Sequence, residues 1–350
     1  MGVCSYLSRE VLGRIPKKTA SPFGRLAYQP GERKIDCEPG MVYNTPMPEN
    51  DGFWDFYWEI RLAEMEDLGK REAILAVSKL VRSLADQPGR AVRLLELGCG
   101  EGQIIGALVS AHARVRSIGA SCGVDYSRHA IEKCRSAYPG MTFIHGDFTD
   151  AGLMAGLGQF EIVLMVNALH EIFSTAQTTS LGEVDVPLAK ERVHQTLACA
   201  VERLVPGGTL ALFDGLETPG DIQEPLRIRF RDVDARRRFD TFAREYRPFR
   251  IAHRETGEPA CVELSRRDFT RYITKSIFLE KQLWQTERLE SYQYFNQTEF
   301  VEAIARLGLA IRLLRTFTVN YDKWQNEVEI LTPGADFPVE HILLLAHKPE

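Results

Sequence analysis

Three glycines that follow an apolar run are the residues with the clearest chemical meaning in this sequence. Residues 92–97 form the apolar run, which predicts a buried strand, and Gly98, Gly100 and Gly102 come directly after it. Glycines at this spacing allow a tight turn and a close approach of a ligand to the backbone. Residues 103–111 suit the helix that follows such a turn. Together these segments predict a binding loop for a nucleotide cofactor.

The spacing of the glycines distinguishes between kinds of nucleotide. A dinucleotide-binding loop has the pattern G-x-G-x-x-G, and Gln103 stands where its third glycine would fall. No P-loop pattern occurs in the sequence. With Glu96 included, the segment instead reads E-x-G-x-G-x-G over residues 96–102. A dinucleotide is therefore disfavoured as the cofactor.

The pattern of residues 96–102 resembles the first motif of the class I S-adenosylmethionine-dependent methyltransferases. Later segments match further motifs of that family in the same order, and the resemblance covers roughly residues 92–213. It implies an enzyme with a Rossmann-like domain that binds S-adenosylmethionine and releases S-adenosylhomocysteine. The last strand pair also resembles the family's closing pair, whereas the other flanking segments match nothing in the family, and we expect those segments to define the substrate.

The fold class follows from the order of the apolar segments. Strand-length apolar runs alternate with amphipathic segments of helix length, which predicts βαβ units in an α/β fold with helices on both faces of the sheet. The resemblance implies a doubly wound, mainly parallel, seven-stranded Rossmann-like sheet whose last strand is antiparallel. The expected strands are 92–97, 119–125, 142–145, 162–167 and 209–213, with a closing pair at 311–317 and 341–346.

The domain organisation is expected to surround this core with helices. The insertion after the fifth strand is far longer than an ordinary connection, so it is expected to fold into a helical cap over the substrate. Phe239, Phe242 and Tyr246 lie at helical spacing within it, and a second helix is expected to start at Ser265. The expected segments are a disordered tail (1–49), a helical lid (50–90), the cofactor-binding core (91–214), the cap (215–296) and the completion of the core sheet (297–350).

The first group of cofactor contacts implied by the resemblance lies in the glycine loop. Glu96 and the backbone around Gly98, Cys99 and Gly100 would hold the amino-acid part of the cofactor, since a carboxylate suits an ammonium group. For Cys99 we favour a small side chain that fits a crowded turn over a nucleophile.

The second group of implied contacts lies at the ends of the next three strands. A carboxylate at Asp125, with Tyr126 beside it, can accept hydrogen bonds from both ribose hydroxyls, although NAD enzymes use the same device. Asp147 would accept from the adenine amino group, and Phe148 would pack on the adenine ring. Asn167 ends the fourth strand, where the sulfonium and the acceptor would meet.

Two residues after Asn167 are the candidates for catalysis. Methyl transfer is an in-line displacement, so the enzyme aligns the acceptor and removes its proton where the acceptor requires it. His170 can be this base, with Glu171 orienting it or binding substrate, but a purely structural hydrogen-bonding role for His170 is an equal alternative. Tyr57 and Arg61 in the lid are weaker candidates to contact the methionine end of the cofactor.

Charge and composition disfavour several other classes of partner. A formal net charge of -5 makes nucleic acid an unfavoured partner, and the arginines of residues 227–250 are interleaved with acidic residues that would pair with them. The seven cysteines are dispersed without metal-ligand spacing, which predicts reduced thiols and no metal site. No apolar run is long enough for a membrane span and no secretory signal is recognised, so we expect a cytoplasmic protein with no membrane partner.

The sequence therefore predicts a methyltransferase that acts on a small-molecule acceptor, on oxygen in preference to nitrogen, in specialised biosynthesis. The long cap suggests a closed pocket, which suits a compact substrate better than a polymer. Three alternatives stay open: an RNA or protein methyltransferase, a protein that uses S-adenosylmethionine for a cyclisation or rearrangement, and a scaffold. A homodimer is expected because helical insertions with aromatic faces often pair between subunits.

Overall fold

The structure is a computed structural model that describes residues 68–85, 92–113, 118–176, 183–281, 283–318 and 320–350. The predicted tail and the first part of the predicted lid, with Tyr57 and Arg61, lie outside the described residues. No helix within the described ranges is both long enough and apolar enough to cross a membrane.

Two β-sheets are present in the described part of the chain. The larger sheet has the strand order β3-β2-β1-β4-β5-β11-β9, in which β1 to β5 are parallel and β11 is antiparallel to both of its neighbours. This order confirms the predicted doubly wound, mainly parallel, seven-stranded sheet with an antiparallel last strand. The strands are β1 (Leu94–Leu97), β2 (Cys122–Asp125), β3 (Thr142–His145), β4 (Phe160–Val166), β5 (Leu204–Gly215), β6 (Pro225–Phe230), β7 (His253–Glu255), β8 (Cys261–Ser265), β9 (Ala310–Phe317), β10 (Val328–Ile330) and β11 (His341–His347).

Helices cover both faces of the larger sheet. Residues of α1 and α2 pack with Leu94 and Ile162 on one face, and residues of α6 and α10 pack with Leu95 and Val163 on the other. The second half of the predicted lid, α1, is therefore a layer of the core. The helices are α1 (Leu68–Ala85), α2 (Gln103–Ala111), α3 (Arg128–Ala137), α4 (Ala151–Gly156), α5 (Leu169–Ser174), α6 (Val186–Glu202), α7 (Val233–Glu245), α8 (Arg266–Lys275), α9 (Trp284–Glu287), α10 (Gln297–Arg306) and α11 (Tyr321–Glu327).

The insertion after β5 differs from the purely helical cap that the sequence predicted. It contains the two expected helices, α7 and α8, but these pack on a four-stranded antiparallel sheet with the order β10-β6-β8-β7. In β6, buried Leu226, Ile228 and Phe230 alternate with more exposed residues, which is the period-two pattern of a strand with one buried face. The cap is therefore a small α+β layer with its own hydrophobic core.

The cap also recruits a segment that was expected to complete the core sheet. β9 and β11 do complete that sheet, but β10 lies between them in sequence and pairs with β6, with Val328 opposite Phe230. Trp324 of α11 is buried in the cap, with its ring 5.6 Å from that of Tyr272. The chain thus leaves the core sheet after β9 and returns to it only with β11.

Candidate active site

The glycine loop between β1 and α2 is a tight turn with one open side. The N–H groups of Gly98 and Cys99 both donate to the carbonyl oxygen of Val124 in β2. Gly98 has a φ of 76°, and a Cβ placed on it would lie only 2.9 Å from the Cβ of Ala168. Gly100 has a φ of 52°, and a Cβ there would meet nothing within 4 Å. Gly98 is thus required for close packing, whereas Gly100 leaves open space beside the loop.

Asp125, at the end of β2, binds this loop directly. Its Oδ2 accepts a hydrogen bond from the N–H of Gly100 and its Oδ1 accepts one from the N–H of Ser127, each at 2.8 Å. A carboxylate has further acceptor capacity after one bond to each oxygen, so Asp125 can still accept from ligand hydroxyls. The side chain of Tyr126 beside it is exposed. The structure therefore brings Asp125 and the glycine loop together, as the sequence predicted for a ribose site.

Glu96 lies beneath the loop and is 1% exposed. Its Oε2 accepts a hydrogen bond from the N–H of Ile105 in α2 at 3.1 Å. Burial raises the pKa of Glu96 to about 8, although the hydrogen bond from Ile105 and the positive charge of Lys70 both lower it. A cationic ligand group close to this carboxyl would favour its ionised form. Glu96 is therefore suited to pair with an ammonium group.

The remaining predicted contacts differ in their exposure. The Asp147 side chain is exposed, and its Oδ1 accepts from the N–H and the hydroxyl of Thr149. Phe148 is buried, and its ring lies 3.6 Å from the position that a Cβ on Gly98 would take, so it packs beneath the loop. Burial raises the pKa of the Cys99 thiol, which keeps it protonated and unreactive.

Asn167, at the end of β4, has two features that are typical of a ligand site. Its φ of 52° places a non-glycine residue in the left-handed region, and such strain is concentrated at functional sites. Its Oδ1 is buried without a hydrogen-bond partner. A bound group that donates to this oxygen would remove the cost of leaving it unpaired. The open space at Gly100 and the unpartnered oxygen of Asn167 thus fit a cofactor bound at this edge of the sheet.

His170 is enclosed in a network of charged and aromatic side chains. Its Nδ1 lies 2.9 Å from Oδ1 of Asp214, its Nε2 lies 3.7 Å from Oε2 of Glu290, and its ring stacks on Tyr292 at 3.8 Å. Burial alone would lower the pKa of His170, but the two carboxylates outweigh this effect and raise the pKa to about 10. The imidazole therefore carries its proton at neutral pH. Of the two roles that the sequence left open for His170, this geometry favours hydrogen bonding over proton abstraction.

Glu171 follows His170 on α5 and interacts electrostatically with Asp125 and Tyr126 at the end of β2. The pKa of Glu171 is raised to about 7, mainly by burial. The positive charge of His170 lowers this pKa, whereas the negative charges of Glu290, Asp214 and Asp125 raise it further. The charge of Glu171 is in turn the main cause that raises the pKa of Tyr126. A carboxyl group with this pKa can take up and release a proton near neutral pH. The residue to which the sequence gave only a supporting role therefore has the properties of a base.

Several residues of this network were not predicted as site residues. Asp214 is fully buried, and besides His170 it binds the N–H groups of Ala168 at 3.1 Å and Leu169 at 2.7 Å. Lys275 of α8 is also fully buried, with its Nζ 2.5 Å from Glu287 and 3.1 Å from Glu290. A sequence signal existed for Asp214, which directly follows the apolar run 209–213 within β5. Among the described residues, no group of His, Cys, Asp or Glu side chains is placed to hold a metal ion.

Comparisons with known proteins identify a methyltransferase domain in this chain. A family model described as a methyltransferase domain matches residues 94–208. No curated protein matches the sequence. Among solved structures, an S-adenosylmethionine-dependent methyltransferase from Mesorhizobium loti is 17% identical, with 77% of this chain and 96% of that chain covered and a TM-score of 0.40.

Two further solved structures show a similar level of likeness. The magnesium protoporphyrin IX methyltransferase of Synechocystis PCC 6803, solved with bound S-adenosylhomocysteine, is 12% identical, with 84% and 94% coverage and a TM-score of 0.40. The [4+2]-cyclase SpnF is 13% identical, with 79% and 82% coverage and a TM-score of 0.39. Identities and TM-scores of this size carry no information about the acceptor.

The matched range contains the glycine loop, Asp125, Asn167 and the catalytic candidates, all at the carboxyl edge of the parallel strands. Residues 94–208 of the chain therefore form a methyltransferase domain, and S-adenosylmethionine is its cofactor.

Proposed function

We propose that this enzyme methylates a hydroxyl group of a small molecule, with an amine as the second choice, and that Glu171 is the general base. The observation that carries the proposal is the place of Glu171, a mostly buried carboxyl with a pKa of about 7 beside the end of β2. A hydroxyl group must lose its proton when it is methylated, and a base is most effective when its pKa is close to the working pH.

The proposed roles in cofactor binding follow from the contacts around the loop. When bound, S-adenosylmethionine supplies an electrophilic methyl group. Glu96 would pair with its ammonium group beside the backbone of Gly98 and Gly100, and Asp125 would accept from its ribose hydroxyls. Asn167 would accept a hydrogen bond through its unpartnered Oδ1. Asp147, at the end of β3, would accept from the adenine amino group, while Phe148 supports the loop from below.

The proposed mechanism assigns separate tasks to His170 and Glu171. Glu171 takes the proton from the acceptor hydroxyl as the oxygen is methylated, and releases this proton to water afterwards. His170 stays protonated between Asp214 and Glu290, so it is a positioning residue. His170 and Glu171 are adjacent on α5, so the contacts that hold His170 in place also hold the backbone of Glu171.

The charges around Glu171 support a small acceptor over RNA. Asp125 and Glu290 both act electrostatically on Glu171, so this edge of the sheet concentrates carboxylates. A phosphodiester backbone would be repelled here, whereas a neutral hydroxyl compound or an amine would not. Specialised biosynthesis, a cytoplasmic location and a homodimer stay predictions from the sequence.

The test is a methyl-transfer screen of phenols, alcohols and amines with isotope-labelled S-adenosylmethionine, followed by kinetics with the best acceptor. Because the ionised form of Glu171 is the active one, kcat is expected to rise with pH through about 7. Glu171→Gln is expected to lower kcat roughly 10²–10⁴-fold and to remove this rise.

Two controls separate chemistry from folding and binding. Glu171→Gln should bind S-adenosylhomocysteine as the wild type does, by calorimetric titration. Glu302→Gln, an exposed carboxylate on α10, should leave both kcat and its pH profile unchanged. Methylation of RNA or protein without turnover of any small molecule would refute the proposed acceptor class, and an unchanged pH profile in Glu171→Gln would refute its role as base.

A further inference from the structure

A cavity of about 390 Å³ lies beside α5, away from the glycine loop. Phe173 of α5 lines this cavity. Glu171 precedes Phe173 by two residues, so the two side chains leave the helix on nearly opposite sides. Glu171 interacts electrostatically with Tyr126 and Asp125 on its own side. The short helix α5 thus stands between the cavity and the proposed base.

The strand order shows how far the cavity lies from the ribose site at Asp125. Asp125 ends β2, whereas Glu217 and Thr218, which line the cavity, follow directly after β5. β1 and β4 lie between these two strands in the sheet. Three strand spacings amount to about 14 Å, so the cavity is distinct from the ribose site at Asp125.

Two arginines of α8 give the cavity its cationic side. Arg271 is 5% exposed, its Nη1 lies 2.9 Å from Oδ1 of Asp268, and its guanidinium stacks 3.8 Å from the centre of the Phe249 ring. The Nε of Arg271 is buried without a hydrogen-bond partner. Arg267 lies one turn away in the same wall, with its Nε 2.8 Å from Oε2 of Glu217. A guanidinium carries several N–H donors, so Arg267 and Arg271 each keep donors that could bind a ligand.

Other residues of the cavity wall also carry polar atoms without partners. The hydroxyl of Thr218 and Oε1 of Gln293 are buried and make no hydrogen bond in the described part of the chain. Buried polar groups in native proteins are almost always paired, and an unpaired one costs about 1–3 kcal/mol. Several of them around one cavity indicate that a polar ligand completes the site.

The apolar part of the wall and the balance of charge define the kind of ligand. Phe173 and Phe249 supply aromatic surface. The wall holds three cations, and each of them pairs with one carboxylate: Lys190 with Glu299, Arg267 with Glu217, and Arg271 with Asp268. The cavity therefore offers unused N–H donors of two neighbouring guanidinium groups without an excess of positive charge, which suits a single carboxylate better than a phosphate dianion.

We propose that this cavity binds a small organic acid, with its carboxylate on Arg267 and Arg271 and its apolar body against Phe173 and Phe249. The assignment goes beyond methyl transfer, because the ligand lies on the far side of α5 from Glu171. It does not depend on which acceptor the enzyme methylates.

The test is fluorine NMR titration of the full-length protein with para-fluorobenzoate, an aromatic carboxylate of suitable size. Para-fluorobenzyl alcohol is the uncharged control ligand. We expect the carboxylate to bind and the alcohol to bind at least tenfold more weakly. Arg271→Gln and Arg267→Gln should each weaken binding of the carboxylate about tenfold or more, since a hydrogen bond to a charged group is lost.

Matched variants separate this result from misfolding and from the cofactor site. Arg266→Gln is the control on the same helix, because Arg266 pairs with Glu224 and is not part of the lining; it should bind as the wild type does. Arg267→Gln keeps the Arg271–Asp268 pair, so it tests the site even if Arg271→Gln folds poorly. Asp125→Ala should lose S-adenosylhomocysteine and retain para-fluorobenzoate.

Four results would overturn the proposal: no binding of para-fluorobenzoate at millimolar concentration, equal binding of the alcohol, unchanged binding in both arginine variants, or displacement of the probe by S-adenosylhomocysteine. If the enzyme methylates none of the proposed acceptors, these binding measurements still test the cavity, because none of them depends on turnover.

Discussion

Nδ1 of His170 and Oδ1 of Asp214 lie 2.9 Å apart in the interior, and this contact joins the start of α5 to the end of β5. The other carboxylate oxygen of Asp214 accepts from the N–H groups of Ala168 and Leu169. One buried carboxylate therefore holds both the imidazolium ring and the backbone that turns from β4 into α5. The position of Glu171, the next residue along this helix, depends on it.

Asp214→Asn is expected to destabilise the protein by about 3–5 kcal/mol, because it leaves the buried His170 cation with one counter-charge fewer. Urea unfolding followed by circular dichroism measures this change. Asp150→Asn is the matched control: its carboxylate also accepts from two backbone N–H groups at a helix start, but it is exposed. Asparagine caps a helix as well as aspartate does, so a loss well below 1 kcal/mol is expected there. Equal losses in the two variants would contradict the buried ion pair.

The contribution of His170 to stability is expected to depend on pH. Its pKa is raised from 6.5 to about 10 in the folded protein, so its stabilising effect is fully present below pH 6.5 and is lost as the pH rises through about 10. The difference in free energy of unfolding between the wild type and His170→Gln should therefore shrink over this range. Urea titrations at a series of pH values measure it. A difference that stays constant would show that the folded imidazole is neutral.

Two alanine substitutions in the glycine loop should affect different properties. Gly98→Ala brings a Cβ to within 2.9 Å of Ala168 at a φ of 76°, so it should cost roughly 2–5 kcal/mol of stability. Gly100→Ala meets no neighbour within 4 Å and should cost only roughly 1–2 kcal/mol, from the left-handed backbone. Its methyl group would instead enter the open space assigned to the cofactor.

The measurements for this pair are thermal unfolding and calorimetric titration with S-adenosylhomocysteine. Gly100→Ala is expected to remain folded and to bind at least tenfold more weakly than the wild type. Wild-type affinity in Gly100→Ala would mean that the cofactor does not use the open side of the loop.

The parts of the fold that could be predicted from sequence are those specified by local patterns. The glycine loop directly follows β1, and Ser127 caps α3 through a bond to the N–H of Ala130, so both signals lie within a few residues. The cap sheet was missed because its pairing is not local. Val328 of β10 pairs with Phe230 of β6 across about a hundred residues of sequence, and a short strand of this kind gives little signal of its own.

The electrostatic roles in the site were beyond sequence reasoning for a related reason. The sequence identified His170 and Glu171, but their protonation depends on Asp214 and Glu290, which are distant in the chain and close in space. Two carboxylates raise the pKa of His170 to about 10, so it is protonated at neutral pH. Burial raises the pKa of the neighbouring Glu171 to about 7. Residue types alone therefore left the choice between a base and a positioning role for His170 open.

Glu96→Gln should change stability and cofactor affinity in opposite directions. The glutamine oxygen can still accept from Ile105, so the loop should keep its shape. Because burial raises the pKa of Glu96 from 4.5 to about 8, the wild type loses stability as the pH rises through this range, and the variant does not. Between about pH 5 and pH 8 the variant should gain roughly 1–3 kcal/mol relative to the wild type.

Cofactor binding by the same variant tests the role of the carboxylate. Without the negative charge, the ammonium group of S-adenosylhomocysteine has no counter-ion at Glu96, so calorimetric titration should show affinity at least tenfold weaker. A variant that is more stable but binds more weakly would show that the enzyme keeps a buried carboxyl at a cost in stability because the cofactor uses it. Weaker stability together with unchanged affinity would instead place the ammonium group elsewhere and leave Glu96 as a structural acceptor for the first turn of α2.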